Sequence, residues 1–243
     1  MQQDINTMND EQYNLAPLAL LRQQSWLSPA FPTGSYSYSH GIEWAVEAGQ
    51  IHNRKSLVDW LELDLRYGSG RNEAIFFSLA WRAALDEDHK LLFELAELAA
   101  AFRGTSEFAL ESSQQAAACL ATLRQVWPDA VLERLSASLS ERRVPPALGV
   151  LLGVRAGRQG ISRALALPAF LQSYLANLLT AGVRLIPLGQ TDGQLAVAEL
   201  EESVLAASAK ASQWTIDDLG SAAFMVDFAS MSHEIQYTRL FRS

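Results

Sequence analysis

Several residue groups in this 243-residue sequence have the chemistry for a reaction or for metal binding. Each can be tested by its spacing. His233-Glu234 begins like the His-Glu-x-x-His motif, whose two imidazoles share one helical face and bind zinc. Tyr237 stands where the second histidine is required, so the motif fails. The other histidines, His40, His52 and His89, are scattered, and Cys119 is the only cysteine. Structural roles for all five are expected, with no metal site and no cofactor in this chain. An intramolecular disulfide is impossible, which suits a reducing compartment. Gly189-Gln190-Thr191-Asp192-Gly193-Gln194 has the glycines of a phosphate loop but no lysine, and nucleotide binding is rejected. Loop 35–43 gathers serines, His40 and Glu43, the raw material of a serine hydrolase. It lacks the Gly-x-Ser-x-Gly spacing and a preceding strand. A hydrolase remains the enzymatic alternative.

Two other stretches concentrate residues typical of interfaces. Residues 28–41 hold two prolines, two glycines and the aromatics Phe31, Tyr36 and Tyr38. Residues 231–243 hold His233, Glu234, Tyr237, Arg239, Leu240, Phe241 and Arg242. A terminal segment this rich in rings is expected to dock, since ends without anchors fray. Tyrosine, phenylalanine and arginine are enriched where proteins meet. The bland alternative is that Tyr36, Tyr38, Tyr237 and Phe241 complete the core. The working expectation is that loop and tail meet to form a partner-binding surface.

The elements that must position these residues read as helices. Apolar residues recur at three- and four-residue spacing over 15–27, 42–48, a segment capped by Ser56, another capped by Asn72 and ending near Leu85, and 86–103. Further helices are expected over 106–126, 129–139, 147–156, 162–186, 195–208 and 217–230. Pro168 predicts a kink or a break in the long segment. Gly153, Gly157 and Gly160 weaken the one before it. No strand with two-residue alternation is evident. The class is all-α: a single-domain bundle of about ten helices over residues 15–243, after a polar N-terminal segment, 1–14, expected to be disordered. Glu107 and Glu111, four apart, read as a solvated face with Gln114 and Gln115. Arg184 reads as a structural anchor whose charge suits the end of its helix.

The net charge is −8 and no basic run is present, which argues against nucleic acid. The N-terminus has neither the basic start nor the apolar run of a secretory signal, and no run of ~20 uncharged apolar residues is recognised. A cytoplasmic protein is expected.

The same residues carry a family resemblance. Ser28-Pro29-x-x-Pro32-x-Gly34-Ser35-Tyr36-x-x-Ser39-x-Gly41-Ile42-Glu43 resembles the N-terminal signature of the urease accessory protein UreF family. Arg184-Leu185-Ile186-Pro187-Leu188-Gly189-Gln190-Thr191-Asp192-Gly193-Gln194 is similar to its second signature. Ser230-Met231-x-His233-Glu234-x-Gln236-Tyr237-x-Arg239-Leu240-Phe241-Arg242-Ser243 is similar to its third. Glu107-Phe108-Ala109-Leu110-Glu111-Ser112 matches a weaker motif. The resemblance implies an all-α homodimer without catalysis of its own. It implies an adaptor that binds UreD (UreH in some organisms) and recruits the GTPase UreG, so that nickel reaches apo-urease. It also implies that loop and tail order together when UreD binds, with Tyr36 facing UreG and Arg239 propping the tyrosine loop. The partner-binding candidates are Tyr36, Ser39, Glu43, His233, Glu234, Tyr237, Arg239, Phe241 and Arg242. The dimer candidate is the helix 162–186, through Ala176, Ala181 and Gly182.

Overall fold

A computed structural model describes residues 10–243, and residues 1–9 lie outside the description. Among the described residues there are eleven α-helices, two short 3-10 turns and no strand. The expected all-α class is what the chain adopts. The helices are α1 Asp10–Leu27, α2 Ile42–Glu47, α3 Arg54–Tyr67, α4 Ser69–Leu85, α5 His89–Ala101 and α6 Ser106–Val126. They continue with α7 Ala130–Arg142, α8 Leu148–Arg158, α9 Arg163–Leu185, α10 Gln190–Ala211 and α11 Phe224–Glu234. Helix α1 takes in residues 10–14, part of the segment expected to be disordered; the remainder of that expectation falls outside the described residues.

Helix α4 is the axis of the bundle. It packs against α3, α5, α8, α9 and α10 and buries Ile75, Phe76, Phe77 and Ala80. Its closest neighbour is α8, and glycine explains the approach. Cβ atoms added at Gly149, Gly153 and Gly157 would come within 2.9, 2.4 and 2.7 Å of the backbone oxygens of Glu73, Phe77 and Trp81. These are rows of four-residue spacing on both helices, so one ridge of absent side chains lets two backbones touch. The glycines that weaken α8 as an isolated helix are what seat it.

Several boundaries differ from the sequence reading, each for a local reason. Asn53 caps α3 and Ser56 is its reciprocal partner in a capping box, three residues on. Asn72 lies inside α4, where its side chain accepts the Gly220 amide. The first amides of α4, on Ser69 and Gly70, donate instead to the buried carboxylate of Asp64. Helix α10 already begins at Gln190, because Asp192 suits a helix N-terminus and pairs with Arg54. Residues 216–218 form a 3-10 turn, and α11 starts only at Phe224. Helix α9 runs through Pro168 unbroken.

Ala181 and Gly182 of α9 face inward, with Gly182 against Leu57, so these two proposed dimer contacts belong to the core of one chain. Helix α9 has the length and apolarity to cross a bilayer, yet it buries Phe170, Leu171, Leu175, Leu178 and Leu179 within the bundle. It serves as a core helix here.

Candidate partner-binding surface

Loop 28–41 and tail 235–243 meet. The Arg242 amide donates to the Ser37 carbonyl at 2.8 Å, and the Ser39 amide to the Ser243 main-chain oxygen at 2.6 Å. The Ser39 hydroxyl donates to the same oxygen. The loop reaches this position through paired left-handed residues, His40 at φ 55° and Gly41 at φ 78°. Only glycine fits at 41, where a Cβ would stand 2.9 Å from the Ser230 amide nitrogen of α11. His40 accepts the conformational cost, and its ring stacks on Phe108 at 3.9 Å.

Beneath the contact lies a row of buried carboxylates. Glu43, from the first turn of α2, accepts the Leu240 amide at 2.6 Å and the Phe241 amide at 2.8 Å. Glu107 of α6 accepts from Arg239 at 3.0 Å. One turn along, Glu111 accepts from the Ser243 hydroxyl at 3.0 Å and faces His40 Nδ1 at 3.1 Å. The α6 face read as solvated is therefore interior: Glu107 and Glu111 are buried and hold the tail. Their four-residue spacing is right, but what covers them comes from more than a hundred residues away.

His233 is completely buried between two of these acids. Its Nδ1 lies 2.9 Å from Glu107 and its Nε2 3.1 Å from Glu43. Burial raises the pKa of Glu107, partly offset by His233 and Arg239. For His40, burial opposes the charged ring, but Glu111 and Asp64 outweigh it and raise the pKa. Asp64, hydrogen-bonded to Tyr174 at 2.7 Å, is itself raised by burial.

Arg184 is the residue the sequence underrated. Its Nη1 donates to the Tyr36 carbonyl at 2.8 Å, and its guanidinium lies 4.4 Å from the centre of the Phe241 ring. It thus ties the second signature to the first and third at once. Arg239, assigned by resemblance to the propping of the tyrosine loop, is engaged with Glu107; Arg184 makes the contact to Tyr36. A lone arginine at a helix end gave no hint of this, because both its partners are remote in sequence.

The candidate residues separate into two sets. Ser39, Glu43, His233 and Phe241 are buried and organise the surface from below. Tyr36 at 75% and Tyr237 at 104% relative exposure project from it, with Glu234, Arg239 and Arg242 also exposed. Tyr38 is buried, and its hydroxyl donates to Gln114. A ridge missed in the sequence extends the surface. Phe224, Phe228 and Met231 of α11, with Ile235 just past its last residue, recur at three- and four-residue spacing and are all about half exposed or more. Trp44 of α2 meets Phe228 edge-on at 5.3 Å.

Among the described residues no serine is placed as a nucleophile against His40. Its ring nitrogens face Glu111, Asp64 and Tyr174, while Ser39 is bonded to Ser243. Among the described residues no group of three or more His, Cys, Asp or Glu is placed to hold a metal ion.

Comparison with known proteins gives a consistent result. A family model described as UreF matches residues 51–201. A urease accessory protein UreF of Rhodopseudomonas palustris is 44% identical over 225 residues, covering 93% of this chain and 91% of its own. The protein of the same name from Bradyrhizobium diazoefficiens is 47% identical, with 93% and 92% covered. That of Granulibacter bethesdensis is 46% identical, with 93% and 94% covered.

Proposed function

Since the chain belongs to the UreF family of urease accessory proteins, we propose that it is a non-catalytic cytoplasmic adaptor in nickel delivery to apo-urease. In this reading it binds UreD (UreH) and recruits the GTPase UreG as a homodimer. The observation that carries it is the pairing of loop and tail over buried acids, with Tyr36 and Tyr237 left in water beside the α11 ridge. An exposed run of Phe, Met and Ile on a soluble bundle is costly unless a partner covers it. Rigid aromatic anchors around such a ridge are what hot spots are made of. The chain carries no nickel site of its own in this reading. The histidines beneath the loop–tail contact, His40 and His233, are already committed to carboxylates. Among the described residues the hydrolase alternative lacks a serine hydroxyl hydrogen-bonded to a histidine ring.

Co-expression tests the proposal. Deleting residues 232–243, or the double substitution Tyr36→Ala with Tyr237→Ala, is expected to leave the helical circular dichroism of the bundle intact. Recovery of UreD and UreG with the variant should fall at least tenfold, and urease should remain nickel-free. Full recovery of both partners with either variant would remove this surface from consideration.

A further inference from the structure

The bridge Glu43–His233–Glu107 has a proton requirement. Each imidazole nitrogen faces a carboxylate oxygen, at 2.9 Å on Glu107 and 3.1 Å on Glu43. A neutral imidazole has one N–H and one lone pair, so it can donate to only one of them. The other contact needs a further proton, carried by the ring as imidazolium or by a glutamic acid. Without it, a lone pair points at a buried carboxylate at a distance too short for a water to stand between them. The same two carboxylates hold the tail, Glu43 through the Leu240 and Phe241 amides and Glu107 through Arg239.

We propose that this bridge is a proton-operated latch: carrying its proton it keeps residues 235–243 docked on loop 28–41, and losing that proton to solvent as pH rises frees the tail and the Tyr36 loop. The charges balance only in the protonated form. Glu43 and Glu107 contribute two negative charges, which His233 as imidazolium and Arg239 neutralise. The other charged groups around it do not remove the requirement. Glu234 on the same helix adds a negative charge near Glu107. Glu47 of α2 is occupied by the Gln236 amide. Glu111 is paired with His40 and with the Ser243 hydroxyl, a second and separate contact of the tail with a titrating pair. Burial already biases Glu107 toward its protonated form, in keeping with a shared proton. The latch concerns the surface proposed above, but it is read on the chain alone, so it fails or survives independently of partner binding.

The test is amide hydrogen exchange of the full chain across about pH 5 to pH 9, which brackets the span in which histidines ordinarily change charge, corrected for the intrinsic pH dependence of exchange. Protection of segment 237–243 is expected to fall on the order of tenfold, the effect of leaving one buried polar contact unmade, while the α4–α8 core stays protected. Glu107→Gln is the discriminating variant. Its amide N–H can donate to the imidazole lone pair, so the bridge is satisfied without the extra proton and the tail should stay protected throughout. Arg239→Gln should lower tail protection at every pH while keeping the wild-type slope. Nitrogen-15 spectra of His233 give a second readout that needs no variant, in which loss of the bridge proton should coincide with tail exposure. A flat wild-type profile overturns the proposal. So does a wild-type slope in Glu107→Gln, which would assign the effect to His40 and Glu111, or a bridge that deprotonates while the tail stays protected.

Discussion

Arg184 shows how much a single side chain can join. It holds the Tyr36 carbonyl and the face of Phe241 together, so one guanidinium fixes loop to tail. Arg184→Ala should cost about 1–2 kcal/mol of local stability, below the roughly 2–4 kcal/mol to which a charged hydrogen bond and a cation–π contact sum, because the side chain is exposed to solvent. The check is faster exchange of the Ser39 and Arg242 amides with the global denaturation midpoint barely moved. Lysine in its place should restore only part of the effect, because a point charge cannot stack and bond at once.

Titration at this scale has a definite sign. His40 is raised above 6.5, so the folded chain binds that proton more tightly than the unfolded one. Its contribution is complete below 6.5 and is lost as pH rises through the folded value. Asp64 and Glu107, also raised, act in the same direction at their own lower ranges. Thermal stability at constant salt should therefore decline as pH rises above 6.5. His40→Asn, which tolerates the left-handed backbone, should show a shallower decline in a melting series. Cys119, by contrast, is inert: burial pushes its thiol up to about 12. An aromatic disulfide reagent at neutral pH should label it only after unfolding, and native labelling would contradict its burial.

Among the elements, α8 illustrates an opposition between propensity and packing. Alanine for glycine in a helix interior ordinarily gains about 1 kcal/mol. At Gly153 the new methyl carbon would stand 2.4 Å from the Phe77 carbonyl oxygen, a distance no backbone tolerates. Overpacking costs about 1–3 kcal/mol or more, so Gly153→Ala should be net destabilising in urea denaturation. Gly160→Ala makes a useful contrast: no neighbour lies within 4 Å of its Cβ position, and only its positive φ of 68° opposes the change. In the sequence these glycines look alike, as breakers of one weak helix. The distinction lies in α4, whose backbone is the thing approached.

Across the whole molecule, the helical body and the loop–tail surface are expected to be separable. The body is a continuous core from α1 to α11, and the tail rests on it through four carboxylates, Glu43, Glu47, Glu107 and Glu111, and two backbone hydrogen bonds to loop 28–41. Removing residues 235–243 should open Glu43, Glu107 and Glu111 to water, which solvates them at little cost. Cooperative unfolding of the remaining bundle should persist, shown by coincident fluorescence and circular dichroism transitions. Loss of a cooperative transition would mean that the tail is part of the core rather than a layer upon it.

By itself the sequence determined the helical class and most helix positions, because three- and four-residue periodicity and capping residues act within a few turns. It also supported the expectation that the two ring-bearing segments dock, and the family signatures along the chain indicated the kind of protein. Tertiary structure alone decided which rings face water, Tyr36 and Tyr237, and which do not, Tyr38 and Phe241. It decided that Glu107 and Glu111 are interior and that Arg184, rather than Arg239, grips the tyrosine loop. The reason is distance along the chain: Tyr38 meets Gln114, Glu107 and Glu111 meet the tail, and Arg184 meets Tyr36, each across more than seventy residues, and local pattern carries no record of what will cover a given face.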